Sequence, residues 1–241
     1  MIYSRILLYL SVAASLVFIA SGYGYNWNIW SLGMAFTLLT YSAYAAIGLA
    51  VINLISVWFL RKSKAKAIVY VVFSLIITGA VAGTALYWQQ RAQSVPPIHD
   101  ITTDLNNPPE FSAIVRLRED APNPPEYAGP ETAEMQRESY PEIQSLELSH
   151  DFQDVMDAAV MLVTEREWKL VAVNRKEGRI EATETLPWFG FKDDVVLRFT
   201  QTDMGGTIVD MRSKSRIGRS DVGVNAQRIE ELLEDLEDSL E

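Results

Sequence analysis

The chain has 241 residues, 31 acidic against 21 basic, with two histidines and no cysteine. Without cysteine there is no disulfide, thiolate nucleophile or cysteine-based zinc site, and a net charge of −10 opposes general nucleic-acid binding, which needs clustered Lys and Arg. The charge is unevenly spread: residues 1–96 hold Arg5, Arg61, Lys62, Lys64, Lys66, Arg91 and no acid, leaving 15 basic residues against all 31 acidic ones downstream.

An apolar basic half followed by a polar acidic half reads as a membrane anchor joined to a water-soluble domain. A helix needs about 20 apolar residues to cross a bilayer. Three stretches meet that length, over about 5–23, 32–60 and 67–88. Tyr23, Tyr25, Trp27 and Trp30 cluster between the first two, and Trp58 and Trp88 lie at helix ends, as interfacial belts require. Asn53 is the one strongly polar side chain deep in a span, where helix packing explains it. The link RKSKAK, residues 61–66, places four positive charges on the cytoplasmic side. The N-terminus is then inside and residues 92–241 outside. A single Arg before a long apolar run favours a retained first helix over a leader cleaved near Gly22.

The anchor is expected over 1–91, a proline-rich neck over 92–110 and the soluble domain over 111–241, with an acidic, proline-rich insert at 119–142. The four prolines of 96–110 keep the neck from being helical throughout. Alternation of Phe111, Ala113, Val115 and Leu117 predicts a short strand. Tyr127 and Tyr140 suggest that the insert lies along a folded surface. Ser149 is placed to cap a helix whose Phe152, Val155, Met156, Ala159, Leu162 and Val163 share one face. Strands are predicted at Trp168–Asn174, Arg179–Leu186, Asp194–Gln201 and Thr207–Ser215. Ile229, Leu232, Leu233, Leu236 and Leu240 make a final amphipathic helix. The expected class is α+β: three transmembrane helices, then an antiparallel sheet packed with two helices in the helix-grip or TBP-like order β-α-β-β-β-β-α. The sheet's other face is free to remain polar.

Three motifs stand out: PPIHDITTDLNNPPEF at 96–111; Tyr127-Ala128-Gly129-Pro130 with Gln136 and Tyr140-Pro141; and VDMRSKSRIGRSDVGVNAQRI at 209–229. Together, and in this order, they resemble the family of domain of unknown function 1499, over nearly the whole soluble half. The resemblance implies a bacterial envelope setting, hence a multi-pass inner-membrane protein with a periplasmic domain. It implies no established reaction and supplies no catalytic residues.

In the last motif Asp210, Arg212, Lys214 and Arg216 share one side of a strand. Arg216 and Arg219 approach a helix whose free N–H groups favour anions, with Ser220 or Asp221 as the cap and Asn225 and Arg228 one turn in. Arg212, Arg216, Arg219, Ser220, Asn225 and Arg228 are therefore the candidate site for an anionic ligand or protein partner. The competing reading is that these cations neutralise the domain's own carboxylates. Trp188, Phe189 and Phe191 in PWFGF either close the core or contact a partner or the membrane. His99, Asp100, Thr102, Thr103 and Asp104 read as a structural neck, because adjacent residues on an extended chain point apart and short polar side chains pin turns. The function expected is a non-enzymatic binding or assembly module of the cell envelope, with the bilayer and another envelope or membrane protein as partners. No nucleic acid, metal or cofactor is expected. The alternatives are an envelope hydrolase using His99 with Asp100 or Asp104, and a membrane-complex subunit acting through its helices.

Overall fold

The computed structural model describes residues 1–60 and 65–241; Arg61, Lys62 and Lys64, on which the expected orientation largely rests, lie outside the described residues. The chain divides into a helical unit, residues 1–90 with 187–190, and a second unit, residues 91–186 with 191–241.

Helices α1 (Ile2–Asn26), α2 (Leu32–Leu60) and α3 (Ala65–Ser94) are each long and apolar enough to cross a membrane. Helix α2 has the bounds expected, whereas α1 and α3 outrun their expected spans at both ends. Most buried positions of the three helices are small, such as Ser4, Ser11, Ser15 and Ser21 on α1, Ala35, Ser42, Ala43 and Ala46 on α2, and Ala67, Ser74 and Thr78 on α3, with Leu7, Phe18, Asn53, Val71 and Val81 the larger exceptions. Large side chains such as Tyr9, Leu16, Tyr44, Phe59 and Phe73 face outward. That inversion suits lipid, where close backbone approach replaces hydrophobic burial as the packing force. The hydroxyls of Ser15, Ser56 and Thr78 donate to carbonyls one turn back, at 2.9, 2.7 and 2.8 Å, so they cost little in an apolar interior. Asn53 Nδ2 donates across to Ser11 Oγ at 3.3 Å.

Residues 187–190 belong to this helical unit. Trp188 Nε1 donates to Ile19 O at 2.8 Å, its ring lies 5.3 Å from Phe18, and Phe189 stacks on Phe36 at 5.6 Å. Gly22 makes the seat, since a Cβ there would stand 2.4 Å from Trp188 Nε1.

The second unit is built on one antiparallel sheet. Its strands are β1 (Asp100–Thr102), β2 (Leu146–Leu148), β3 (Lys169–Asn174), β4 (Arg179–Thr185), β5 (Lys192–Gln201) and β6 (Thr207–Ser215). The order across the sheet is β1-β6-β5-β4-β3, and β2 also pairs with β6. Thus β1 takes the end of β6 at 212–214 and β2 the end at 207–209. Thr103 fills the gap: its N–H donates to Met211 O, and its Oγ1 accepts from Met211 N–H, both at 2.9 Å.

Helices α4 (Pro130–Ser139), α5 (Phe152–Glu165) and α6 (Val224–Asp238) complete the unit. Val155, Met156, Ala159 and Val163 of α5 join Ile229, Leu232 and Leu236 of α6 over Ile180, Val195, Leu197, Val209 and Met211 of the sheet. This is the α+β class the pattern predicts, with the helix spacing of 3.6 and strand spacing of 2 meeting in one core.

Several local expectations are corrected. Residues 111–117 do not form a strand. Ile114–Arg118 is a 3-10 helix that buries Phe111 and Ile114 and exposes Val115 and Leu117. Three successive amides, Ser112, Ala113 and Ile114, donate to the Glu181 carboxylate at 2.9–3.1 Å, which an extended strand would point apart. The place of the first strand in β-α-β-β-β-β-α is taken by β2. The insert 119–142 contains α4, begun by Gly129 at φ +94° and Pro130 in the first turn, where a missing N–H costs nothing. Asp151 rather than Ser149 caps α5, accepting from Gln153 N–H at 2.8 Å.

Candidate functional site

The face of the sheet opposite α5 and α6 carries charge, yet it is covered. Register puts Asp100, Lys214, Asp194 and Thr183 in one row across four strands, with Thr102, Arg212, Val196 and Glu181 in the next. Residues 103–129 lie over these rows. Asp100, Asp194, Arg212, Lys214 and Arg118 are each at most 1% exposed.

Buried ions persist only when paired and fully hydrogen-bonded. Here Arg212 grips Asp100 with two bonds, Nε to Oδ1 at 2.8 Å and a terminal nitrogen to Oδ2 at 3.0 Å. Its guanidinium lies between Phe111 and Tyr127, 4.8 and 5.4 Å from the ring centres. Lys214 Nζ approaches Asp100 Oδ2 at 3.1 Å. Asp194 holds two arginines, Arg118 from the cover and Arg216 from the end of β6, each at 2.8 Å. Arg198 bridges Asp104 and Asp210 at 3.0 and 2.7 Å. Burial lowers the Lys214 ammonium from its ordinary value against the pull of Asp100, and it pushes the Tyr127 phenol up to about 12.

Many of the other donors go to backbone carbonyls of the cover, while Arg118 also donates to Lys214 O and Ser215 O at 3.1 and 3.0 Å and leaves its Nε without a partner among the described residues. Arg198 reaches Asn107 O, Arg212 reaches Pro109 O and Pro125 O, Arg216 reaches Leu117 O, Arg118 reaches Asn123 O and Lys214 reaches Glu126 O. A proline-rich irregular segment has carbonyls that no ladder uses. Four cations from the sheet and its end, Arg198, Arg212, Lys214 and Arg216, with Arg118 of the cover itself, supply what its own amides cannot.

Opposite this face, Arg228 of α6 engages Asp193 at 2.7 Å and Glu184 as well. Asp193 and Asp194 are neighbours on β5 that serve opposite faces, as strand alternation requires. Asn225 Nδ2 donates to His99 O and Ser215 Oγ at 3.1 and 3.0 Å. At the start of α6, Gly223 takes the left-handed conformation, φ +80°, and Asp221 accepts from Gly223 and Asn225 N–H at 2.8 and 2.9 Å. The carboxylate of Asp221 thus stands where an external anion would meet this helix. Ser220 Oγ accepts from Val222 N–H at 3.1 Å.

Of the candidate ligand residues, Arg212, Asn225 and Arg228 are buried, Arg216 and Ser220 are partly covered, and Arg219 is exposed. They do not converge on one opening: Arg212 and Arg216 face the cover, while Asn225 and Arg228 face the sheet from the other side. Phe191 is partly covered in the second unit, apart in grouping from Trp188 and Phe189. The neck contributes β1 itself. Thr102 trades two bonds with Gln136 of α4, at 3.1 and 2.6 Å, and Asp104 accepts from Asn106 and Asn107 N–H at 3.0 Å. Arg91, the first residue of this unit, donates to Val222 O at 2.8 Å. Among the described residues no three His, Cys, Asp or Glu side chains form a metal-holding group. Arg118 and the split roles of Asp193 and Asp194 were missed from sequence. The alternation Asp194-Val196-Arg198 was the available signal.

His99 is half-buried, with Nδ1 3.4 Å from Arg219 O. Burial holds its imidazole below the ordinary value of 6.5, against the opposing pull of that carbonyl. Between the folded value and 6.5 the unfolded chain binds more protons, so stability rises with pH across that window and is lost on acidification. The denaturation midpoint should therefore fall from about pH 7 to about pH 5, and His99→Gln should remove part of that fall. An equal fall in the variant would assign it to carboxylates instead.

The fold and site define a class: an α+β domain with a charged, internally paired sheet face, carried on three helices of membrane-spanning length. Residues 100–236 match the sequence model of the family described as "Protein of unknown function (DUF1499)". That is more than half of the chain, and the chain belongs to this family. No curated protein matches it.

Proposed function

We propose that this chain is a non-enzymatic binding or assembly module of the bacterial envelope, anchored in the inner membrane with its sheet domain on the periplasmic side. The carrying observation is how the neck and the closing motif are used. Asp100 is taken by Arg212 and Lys214, His99 O by Asn225, and Val222 O by Arg91. A catalyst must present such groups to a substrate; here they hold the chain together. Both oxygens of Asp100 and the Oδ2 of Asp104 are engaged by cations, so the hydrolase reading with His99 would have to break an ion pair first. Exposed Arg219 is the cation of the motif left to meet an anionic ligand or partner; Arg216, three residues before it, is held by Asp194.

Native mass spectrometry of the full-length protein, gently extracted from its membrane, tests binding. A stoichiometric adduct should appear on the wild type and be lost in Arg219→Glu at unchanged thermal stability. A bare protein in both would reject the corner as a recognition site. The periplasmic assignment is supported by the basic link 61–66. With no native cysteine to interfere, Met204→Cys, at a turn where Met204 is 97% exposed, reports the side directly. A membrane-impermeant maleimide should label it in spheroplasts. Labelling only after permeabilisation would reverse the topology.

A further inference from the structure

The turn Ile114–Arg118 is a knuckle pinned at both ends. Before it, the amides of Ser112 and Ala113, with that of Ile114, donate to the Glu181 carboxylate. At its close, Arg216 donates to Leu117 O at 2.9 Å, and Arg118 is buried on Asp194, Lys214 O and Ser215 O. Between these pins Val115, Arg116 and Leu117 all face outward, with Val115 39% and Leu117 45% exposed. Phe111 and Ile114 already fill the small core beneath, against Val196. The two outer apolar side chains are thus held in a fixed position without serving that core.

Cations stand beside them. Arg216 N–H donates to Lys192 O at 2.9 Å, which continues the β5–β6 register one pair past Asp193 and Ser215. Lys192 pairs with Thr185 on its other side. By strand alternation Lys192 shares the cover face with Asp194, beside Arg216 on the last row of the sheet, and it is exposed, as is Arg116. Glu119 and Asp120 come next along the chain, beyond buried Arg118.

The place of this row in the chain says what the knuckle meets. Leu186 and Phe191 flank residues 187–190, which belong to the helical unit, where Pro187 O accepts from Asn26 Nδ2 of the end of α1 at 3.0 Å. Lys192 is two residues past Gly190, at most about 7 Å of chain. With α1 in a bilayer, chain length alone keeps the last row within reach of the lipid surface. An apolar tip flanked by Arg and Lys has the chemistry of interfacial attachment, with apolar groups at the acyl boundary and cations on phosphates. Exposed Met204, by contrast, lies past the other end of β6, whose nine residues span about 30 Å.

We infer that the knuckle docks on the anionic surface of the protein's own membrane, with Val115 and Leu117 entering the acyl boundary and Arg116 and Lys192 meeting lipid phosphates. The inference needs only that the three helices span a bilayer. It holds for either side of that bilayer and does not depend on Arg219.

The test uses the full-length protein in nanodiscs of phosphatidylglycerol and phosphatidylcholine, prepared with and without brominated acyl chains. With no native cysteine, Leu117→Cys takes a single bimane label. Brominated lipid should quench that label severalfold more than the same label on Met204→Cys. Arg116→Glu with Lys192→Glu should remove most of the quenching at Leu117→Cys. Val115→Cys serves as the second probe should Leu117→Cys fail to fold, and it carries the same outcomes. Quenching no greater on the knuckle than at Met204→Cys would overturn the proposal, as would unchanged quenching after the double charge reversal. A label that is shifted to the blue but not quenched would place a protein surface on the knuckle, which overturns the proposal equally.

Discussion

Arg212→Ala should destabilise the sheet domain by about 3–5 kcal/mol, the usual cost of orphaning a buried charge. The guanidinium is 1% exposed and Asp100 fully buried, so the alanine would leave a carboxylate with only Lys214 and the Ala128 amide to hold it. It would also release Pro109 O and Pro125 O and remove the plate between Phe111 and Tyr127. Hydrogen exchange of β1 and β6 amides in the full-length protein reads the loss. Asp100→Ala should cost a similar amount, and the double variant less than the sum, because residues in one ion-pair network couple by about 0.5–3 kcal/mol. A loss under about 1 kcal/mol, the range of exposed ion pairs, would mean that the cover does not exclude water from this pair.

Glu181→Ala should act on the cover rather than on the sheet. The carboxylate is 1% exposed, accepts from three successive amides and meets Arg179 Nε at 3.2 Å. Hydrogen bonds to a charged group contribute about 1.5–3 kcal/mol each, and three N–H groups cannot be satisfied by a methyl. The 3-10 helix Ile114–Arg118 should then open locally while β4, β5 and β6 stay paired. Limited trypsin digestion should cut after Arg116 at least tenfold faster, a rise of about 1.4 kcal/mol in the open population. Glu181→Gln keeps one acceptor oxygen and should fall between. Cleavage at the wild-type rate in Glu181→Ala would show that the turn is held by Phe111 and Ile114 packing alone.

Sequence reasoning reached the elements whose periodicity is long. The three apolar spans, α5, α6 and β3 to β6 all carry ten or more residues of pattern, or alternate against a turn. It did not reach β1 and β2, which are three residues each and carry no repeat. It misread 111–117, where the alternation through Val115 and Leu117 suits a strand but the buried pair is Phe111 and Ile114, three residues apart, the spacing of one 3-10 turn. The charges of 210–216 were assigned correctly to one side of a strand. What covers that side was not legible, because an acidic, proline-rich composition describes both a disordered linker and a segment whose surplus carbonyls are bonded by cations. The pairing of Arg118 with Asp194 joins residues 76 apart, and no local pattern encodes it.

The shared edge of β6 has a consequence for how the domain forms. The bond from Arg212 to Asp100 spans 112 residues, and that from Asn225 to the His99 carbonyl spans 126. The first strand to leave the ribosome therefore has no partner until β6 has been made. Loop closure over such distances is slow, and chains dominated by distant pairings fold late. The neck and the cover lack the cations and strand edge that hold them until β6 is present, while the helices ahead of them are already available to the bilayer. A chain truncated anywhere before β6 would leave both short strands and every cation-binding carbonyl without a template. Docking of both short strands and of the cover accordingly waits for β6, and that strand acts as the closing step of this domain.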